Sequence, residues 1–179
     1  MTGLDIHGVT IECVLGNIAK QPGMDTIVNT ANAELRIGGG MAGAIHRAAG
    51  WGLEEECPPL ATIQPGQAVI TGAHNLPNRY VVHCLGPVYG LDEPSDQLLA
   101  SCYCNTLQLA EENGIKSIAF PAISAGAFGY PLEPAPQVAL KTISNMLPEL
   151  STVNYMRFVL FTEADIQIYE RLLDKLTEV

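Results

Sequence analysis

The chain has 179 residues, 47% of them hydrophobic, with 9 Lys+Arg against 19 Asp+Glu and a formal net charge of -10. That length and apolar content suit one domain over residues 1–179 with one sizeable core. The acidic balance excludes long-range attraction to nucleic acid or to an anionic membrane, so a bound anion must be held locally, by helix ends and backbone amides.

In chain order, residues 10–15 read as a strand ending at Gly16-Asn17. Thr26-Ile27-Val28 form a short strand after the breaker Pro22-Gly23, with residues 29–32 at its end. Gly38-Gly39-Gly40 are a loop; residues 42–49 then read as a helix closed by Gly50, which residues 53–57 extend by a turn. Residues 67–71 and 79–85 are two strands separated by the turn-rich Asn75-Leu76-Pro77-Asn78. The clearest helix is 95–113, with Leu99, Tyr103, Thr106 and Ala110 on one face and Gly114 as its stop. A strand at 117–120 ends at Pro121, and a helix at 136–147 aligns Leu140, Ile143 and Leu147. After a strand at 155–161, Thr162-Glu163-Ala164-Asp165 is a capping box for a last helix with inner stripe Ile166, Tyr169, Leu173 and Leu176. This alternation, with near-wholly apolar strands, predicts an α/β sheet covered by helices on both faces. Such sheets bind ligands beyond the carboxyl ends of their strands, so the informative residues should follow strands directly.

Three segments there carry unusual chemistry. Asn29-Thr30-Ala31-Asn32 lead through Gly38, Gly39 and Gly40 into a helix, pairing uncovered backbone N–H groups with a positive helix end, as an anion cradle requires. Residues 124–128, Ser124-Ala125-Gly126-Ala127-Phe128, follow another strand; small residues admit a ligand to the backbone, and Phe128 can stack on a sugar or base. Gly16-Asn17-Ile18 place a polar side chain beside an aliphatic one at a strand end, a pairing that can read and cover a purine. The first two loops, facing each other across one crevice, would hold a diphosphate by amides without Lys or Arg.

Other reactive side chains read as structural. His46 lies on a helix leading away from the crevice, and His83 sits in an apolar strand as a buried, hydrogen-bonded histidine. His7 and His74 have no partner visible in the sequence; Trp51 is a packing or surface residue, and Glu54-Glu55-Glu56 a solvated acidic face. Five cysteines (Cys13, Cys57, Cys84, Cys102, Cys104) have no regular pairing pattern, which points to a reducing compartment. Cys102 and Cys104 point in different directions on a helix, so no metal site is expected, and no cofactor. No secretion signal and no span of ~20 apolar residues stands out. The expected location is the cytoplasm.

Residues 25–32, 38–50, 80–87 and 117–131, in this order and spacing, resemble the macrodomain family, most closely its MacroD-type group. The resemblance implies a three-layer α/β/α fold with a mixed central sheet. It also implies binding of ADP-ribose, and hydrolysis of ADP-ribose from modified acidic side chains of proteins or of O-acetyl-ADP-ribose. On it, Asn32 is the catalytic residue, holding the distal ribose beside the scissile bond, and Asn29 helps to shape that pocket. Gly38, Gly39, Gly40, Met41 and Ala42 run along the diphosphate and distal ribose. Ser124, Ala125, Gly126, Ala127 and Phe128 form the second phosphate loop, with Phe128 at the distal ribose. Asn17 and Ile18 recognise adenine. In two places the chain departs from the family. The adenine-reading residue is usually Asp, where this chain has Asn17; and MacroD-type hydrolases usually carry an aspartate where this chain has Ala42. Viral macrodomains often combine alanine there with phenylalanine in the second loop and still hydrolyse, substrate phosphate oxygens placing the water. Two readings therefore stand, a hydrolase and a non-catalytic ADP-ribose reader.

Overall fold

A computed structural model describes residues 3–178. Seven strands form one sheet: β1 (Leu4–Ile6), β2 (Val9–Leu15), β3 (Thr26–Thr30), β4 (Ala68–Gly72), β5 (Tyr80–Cys84), β6 (Ser117–Phe120) and β7 (Tyr155–Leu160). Their order is β1-β2-β7-β6-β3-β5-β4, parallel throughout except for the two edges, where β1 pairs antiparallel with β2 and β4 with β5. The helices are α1 (Gly40–Ala49), α2 (Trp51–Glu56), α3 (Ser95–Glu112), α4 (Pro134–Met146) and α5 (Glu163–Thr177). The expected α/β/α architecture with a mixed sheet is therefore the observed one. Among the described residues no helix is long and apolar enough to cross a membrane.

Strand periodicity sorts the core into two layers. Val28, Val82, Ile118, Phe120 and Phe158 face α3, α4 and α5, where Leu99, Leu107, Ala139, Ile143 and Leu173 meet them. Their sequence neighbours Ile27, Val81, Ala119 and Val159 face the other way and pack with Ile45, Ala49 and Leu53 of α1 and α2. A chain of rings links the elements of the first layer. Tyr103 meets Phe120 at 5.3 Å, Phe120 meets Phe158 at 5.6 Å and Phe158 meets Tyr169 at 4.9 Å, tying α3, β6, β7 and α5 together.

Where element bounds differ from expectation, local chemistry explains it. β1 is invisible to periodicity because three residues carry no period. Its signal is His7-Gly8, whose φ values of 53° and 80° form the tight reversal that a two-residue hairpin needs. Residues 51–56 are a separate helix rather than an extension of α1, because Gly50 at φ 84° turns the chain between them. The glutamate run is not simply a solvated face: Glu56 accepts from the Gly72 N–H at 3.1 and 3.2 Å and lies 2.8 Å from His74 Nε2. His74 thus has a partner, and a carboxylate covers one N–H of the sheet-edge strand β4. The last helix begins as expected, with the Asp165 N–H donating to Thr162 Oγ1 at 3.1 Å.

One carboxylate locks the approach to β7. Glu111, near the end of α3, accepts from the N–H groups of Ser151, Thr152 and Val153 and from the Ser151 hydroxyl at 2.9–3.1 Å. Burial raises its pKa, but these donors outweigh burial and bring it down to about 2. A depressed carboxylate stabilises the fold above its unfolded value and loses that contribution as pH falls from about 4.5 through about 2. Glu111→Gln is expected to lower unfolding free energy at neutral pH by on the order of 2 kcal/mol, solvent screening holding the effect below the full shift. In urea titrations the gap to the unsubstituted protein should close as pH is taken from 5 towards 2.

Candidate functional site

Beyond the carboxyl ends of β3, β6 and β7 lies a cavity of about 560 Å³. One wall is the opening of α1. Gly39 is its extended N-cap and Gly40, the last glycine of the triplet, opens the helix at φ 56°, a left-handed conformation that glycine adopts freely. The N–H groups of Gly40, Met41 and Ala42 have no acceptor within the helix, and the positive helix end faces the same space. Close folding of this loop onto the helix depends on Gly43: a β-carbon there would overlap the Gly38 carbonyl oxygen.

The opposite wall is the loop after β6. Ser124 takes φ 62°, and the loop is braced by Ala125 N–H to Ala122 O (3.3 Å), Gly129 N–H to Gly126 O (3.0 Å) and Tyr130 N–H to Ser124 O (2.9 Å). That bracing leaves the N–H groups of Gly126, Ala127 and Phe128 without a protein acceptor among the described residues. The loop sits directly on the exit of β5, because a β-carbon on Gly86 would overlap Ser124 Oγ. The Ser124 hydroxyl is buried and unpartnered among the described residues.

The two glycine-rich segments thus face one another across one cavity. Gly39, Gly40, Met41 and Ala42 line one side and Ser124, Gly126, Ala127 and Phe128 the other. None of the eleven lining residues carries a charge, so anionic ligand groups would meet main-chain hydrogens. A hollow of about 440 Å³ between α3 and β4 has neither feature.

The remaining candidates are not among the residues that line this cavity. Asn32 stands beside the first loop, its Nδ2 3.4 Å from where a Gly38 β-carbon would lie. Its carboxamide donates to Arg36 O and accepts from Arg36 N–H, both at 2.9 Å, which closes a turn and fixes the amide's orientation. One N–H and one lone pair remain for a ligand. Gly38 and Ala125 adjoin the lining residues without facing the cavity.

Asn29 is not among the residues that line the cavity. It is 0% exposed, and its Nδ2 donates to His83 Nδ1 at 3.0 Å. His83 Nε2 lies 2.9 Å from Thr71 Oγ1, which donates on to the Gly72 carbonyl. Burial and then His46, 6.4 Å away between ring centroids, push the His83 pKa down to about 3, so the ring is neutral. Asn29 therefore acts beneath the cavity, joining β3 to β5 and β4 under the residues that do face it, because its position in the central strand points it into the protein.

Asn17 and Ile18 lie at the far end, beyond β2. Asn17 Oδ1 accepts from the Ala19 N–H at 2.9 Å and Ile18 is buried beneath. The Gly16 N–H donates to Leu160 O at 3.2 Å, which sets this turn against the end of β7. There stands Phe161, 76% exposed and lining the cavity, a residue that sequence reasoning misses together with Thr30 and Ala122. An aromatic immediately after a parallel strand is the signal for Phe161, but it continues the apolar run and so reads as part of the strand.

The macro domain family model matches residues 28–139, more than half of the chain. The chain belongs to the macro domain family. This macro domain is 46% identical over 165 residues to the O-acetyl-ADP-ribose deacetylase of Escherichia fergusonii, covering 89% of this chain and 93% of that one. It is 46% identical over 155 residues to the ADP-ribose glycohydrolase MACROD2 of Xenopus laevis, covering 85% of this chain and 37% of that longer protein. The solved Oceanobacillus iheyensis macrodomain with ADP superposes with a TM-score of 0.92 at 38% identity, covering 98% of this chain and 96% of that one. Solved variants of that macrodomain replace by alanine an asparagine and an aspartate ten residues further on. Asn32 and Ala42 are likewise ten residues apart, with alanine here natively in the second place.

Proposed function

We propose that this macro domain binds ADP-ribose and hydrolyses acyl esters of its distal ribose, whether the acyl group is acetate or an acidic side chain of a protein. The observation that carries this reading is the uncharged cavity between two loops with free N–H groups, lined also by Phe161, with Asn32 beside the first loop. The adenine lies at the Asn17, Ile18 and Phe161 end, the diphosphate between residues 39–42 and 124–128, and the distal ribose at Asn32 and Phe128. Asn17 Oδ1 keeps one lone pair beside its bond to Ala19, enough to accept from the adenine amino group without charge assistance.

Both substrates are esters of one ribose with a carboxylic acid, which is why one site serves both. Water adds across the ester, the ribose recovers its hydroxyl and the acid leaves as a carboxylate and a proton. Ala42 offers no base, so the water is oriented by a substrate phosphate oxygen and by the held ribose, while preorganised amides stabilise the charge that develops. The sequence and structural relatives support the chemistry; the bare Ala42 favours a second reading, a reader that binds ADP-ribose and cleaves nothing.

Calorimetric titration with ADP-ribose, ADP and AMP, beside a turnover assay on O-acetyl-ADP-ribose, separates the two. Tight ADP-ribose binding with acetate release supports the hydrolase; tight binding without release supports the reader. Failure of ADP-ribose to bind at millimolar concentration would remove both. Phe161→Ala is expected to weaken ADP-ribose roughly tenfold by loss of base stacking, with little change in turnover at saturation. A loss confined to turnover would argue that the base does not lie there.

A further inference from the structure

The order of the strands sets where the modified group must leave the site. Across the sheet run β2, β7, β6, β3 and β5, and the binding elements follow that order: Asn17, then Phe161, then residues 124–128, then Asn32. A nucleotide laid along this path points its distal ribose, and whatever is attached to it, towards the exit of β5. That exit, residues 85–94, is built onto the second loop. The Tyr89 N–H donates to the Phe128 carbonyl at 2.9 Å, and the Tyr89 ring packs on Tyr130 at 4.8 Å.

Beyond this anchor the rim is apolar and uncovered. Tyr89 is 49% exposed, Leu91 75% and, two residues past Tyr130, Leu132 60%. The rim is also acidic: segments 86–96 and 122–137 contain Asp92, Glu93, Asp96 and Glu133 and no Lys or Arg. Glu133 is paired with Arg171 at 2.7 Å, Asp92 accepts from the Val88 N–H at 2.8 Å and Glu93 from the Ser95 N–H at 3.2 Å. Asp96 is exposed with no hydrogen-bond partner among the described residues. Burial, and after it the charges of Asp96, Tyr89 and Glu93, push the Tyr130 hydroxyl up. Arg36, outside these segments, is tied to Asn32 by its backbone N–H and carbonyl.

We infer that this rim docks the polypeptide that carries ADP-ribose, and selects acceptor segments with a Lys or Arg and a large apolar side chain beside the modified carboxylate. The inference rests on the ester-hydrolase reading above and names which macromolecular substrate that site prefers. Apolar area joined to the cavity wall at Phe128 receives the apolar neighbour, and the exposed carboxylates of Glu93 and Asp96 attract the cationic one. O-acetyl-ADP-ribose ends at its acetate and does not reach the rim.

The test uses two synthetic peptides mono-ADP-ribosylated on one glutamate, one flanked by Lys and Leu, the other by Glu and Ser, with O-acetyl-ADP-ribose as the reference. Calorimetric Kd and kcat/KM are measured with the full chain at low salt and at about 0.5 M salt. The Lys/Leu peptide is expected to bind roughly tenfold more tightly, with the preference shrinking as salt rises. Asp96→Lys should abolish that preference and Leu91→Ser should weaken the Lys/Leu peptide, both leaving O-acetyl-ADP-ribose turnover unchanged. Equal Kd for the two peptides, or a preference untouched by Asp96→Lys, overturns the inference while acetate release continues. If neither ester is cleaved, the hydrolase reading fails, and the ratio of Kd values still decides the rim.

Discussion

Asn32→Ala is expected to lower hydrolysis of O-acetyl-ADP-ribose by roughly 10²-fold or more while changing the Kd for ADP-ribose by less than about tenfold. The asymmetry follows from geometry. On the proposed reading, affinity comes from contact of the nucleotide with the amides of residues 39–42 and 124–128 and with Phe161, none of which depends on Asn32. Turnover depends on the ribose being held in one pose, and the Asn32 amide is suited to that because two hydrogen bonds to Arg36 already fix its plane. A misplacement of about 1 Å at the reacting centre costs far more rate than binding energy. The substitution also releases the turn that ends at Arg36, so Asn32→Asp is the useful companion. It keeps an acceptor for the Arg36 N–H but replaces the donor by an oxygen beside an anionic ligand. Initial rates and titrations on both variants decide the matter, and equal losses in kcat and affinity would count against a positioning role.

Ala42→Asp is expected to act in the opposite sense, raising turnover on the order of 10²-fold, the lower end for a positioned general base because substrate phosphate already orients the water. The position accepts the change. Ala42 lines the cavity in the first turn of α1, where a carboxylate also gains from the positive helix end. The added negative charge beside the diphosphate should leave ADP-ribose binding unimproved or slightly weaker, so a gain in rate with no gain in affinity is the diagnostic pattern. The size of the gain separates the two functional readings. A hydrolase improves from a measurable rate, whereas a reader passes from no release to release. If the Ala42→Asp variant released acetate no faster than the unsubstituted protein, the water would not lie near this helix end.

Most of the candidate site is legible in the chain because backbone chemistry leaves marks in composition. A binding surface made of main-chain hydrogens demands residues that do not cover them, and Gly38-Gly39-Gly40 and residues 124–128 answer that demand in a chain otherwise short of cations. Parallel strands likewise announce their ends, since apolar runs stop where the sheet meets solvent. Asn29 and Phe161 show the limit. Both follow the rule that informative residues stand at strand ends, yet strand pleating sends Asn29 inward to His83 and the end of β7 leaves Phe161 outward over the cavity. One residue separates Asn29 from Thr30, which does line the cavity, and one-dimensional spacing does not show which of the two faces it.

The alternation of elements, the two loops of small residues proposed as anion cradles and their lack of basic residues can all be read along the chain, because each depends on local composition and on the periods of strand and helix. Folding alone brings the two cradles to one cavity, joins Glu56 to His74 across 18 positions and sets the acidic, apolar rim after β5 beside Phe128. Those are matters of strand order and of contacts between residues distant in the chain, and strand order is set by how two core layers pack on one sheet rather than by any segment alone.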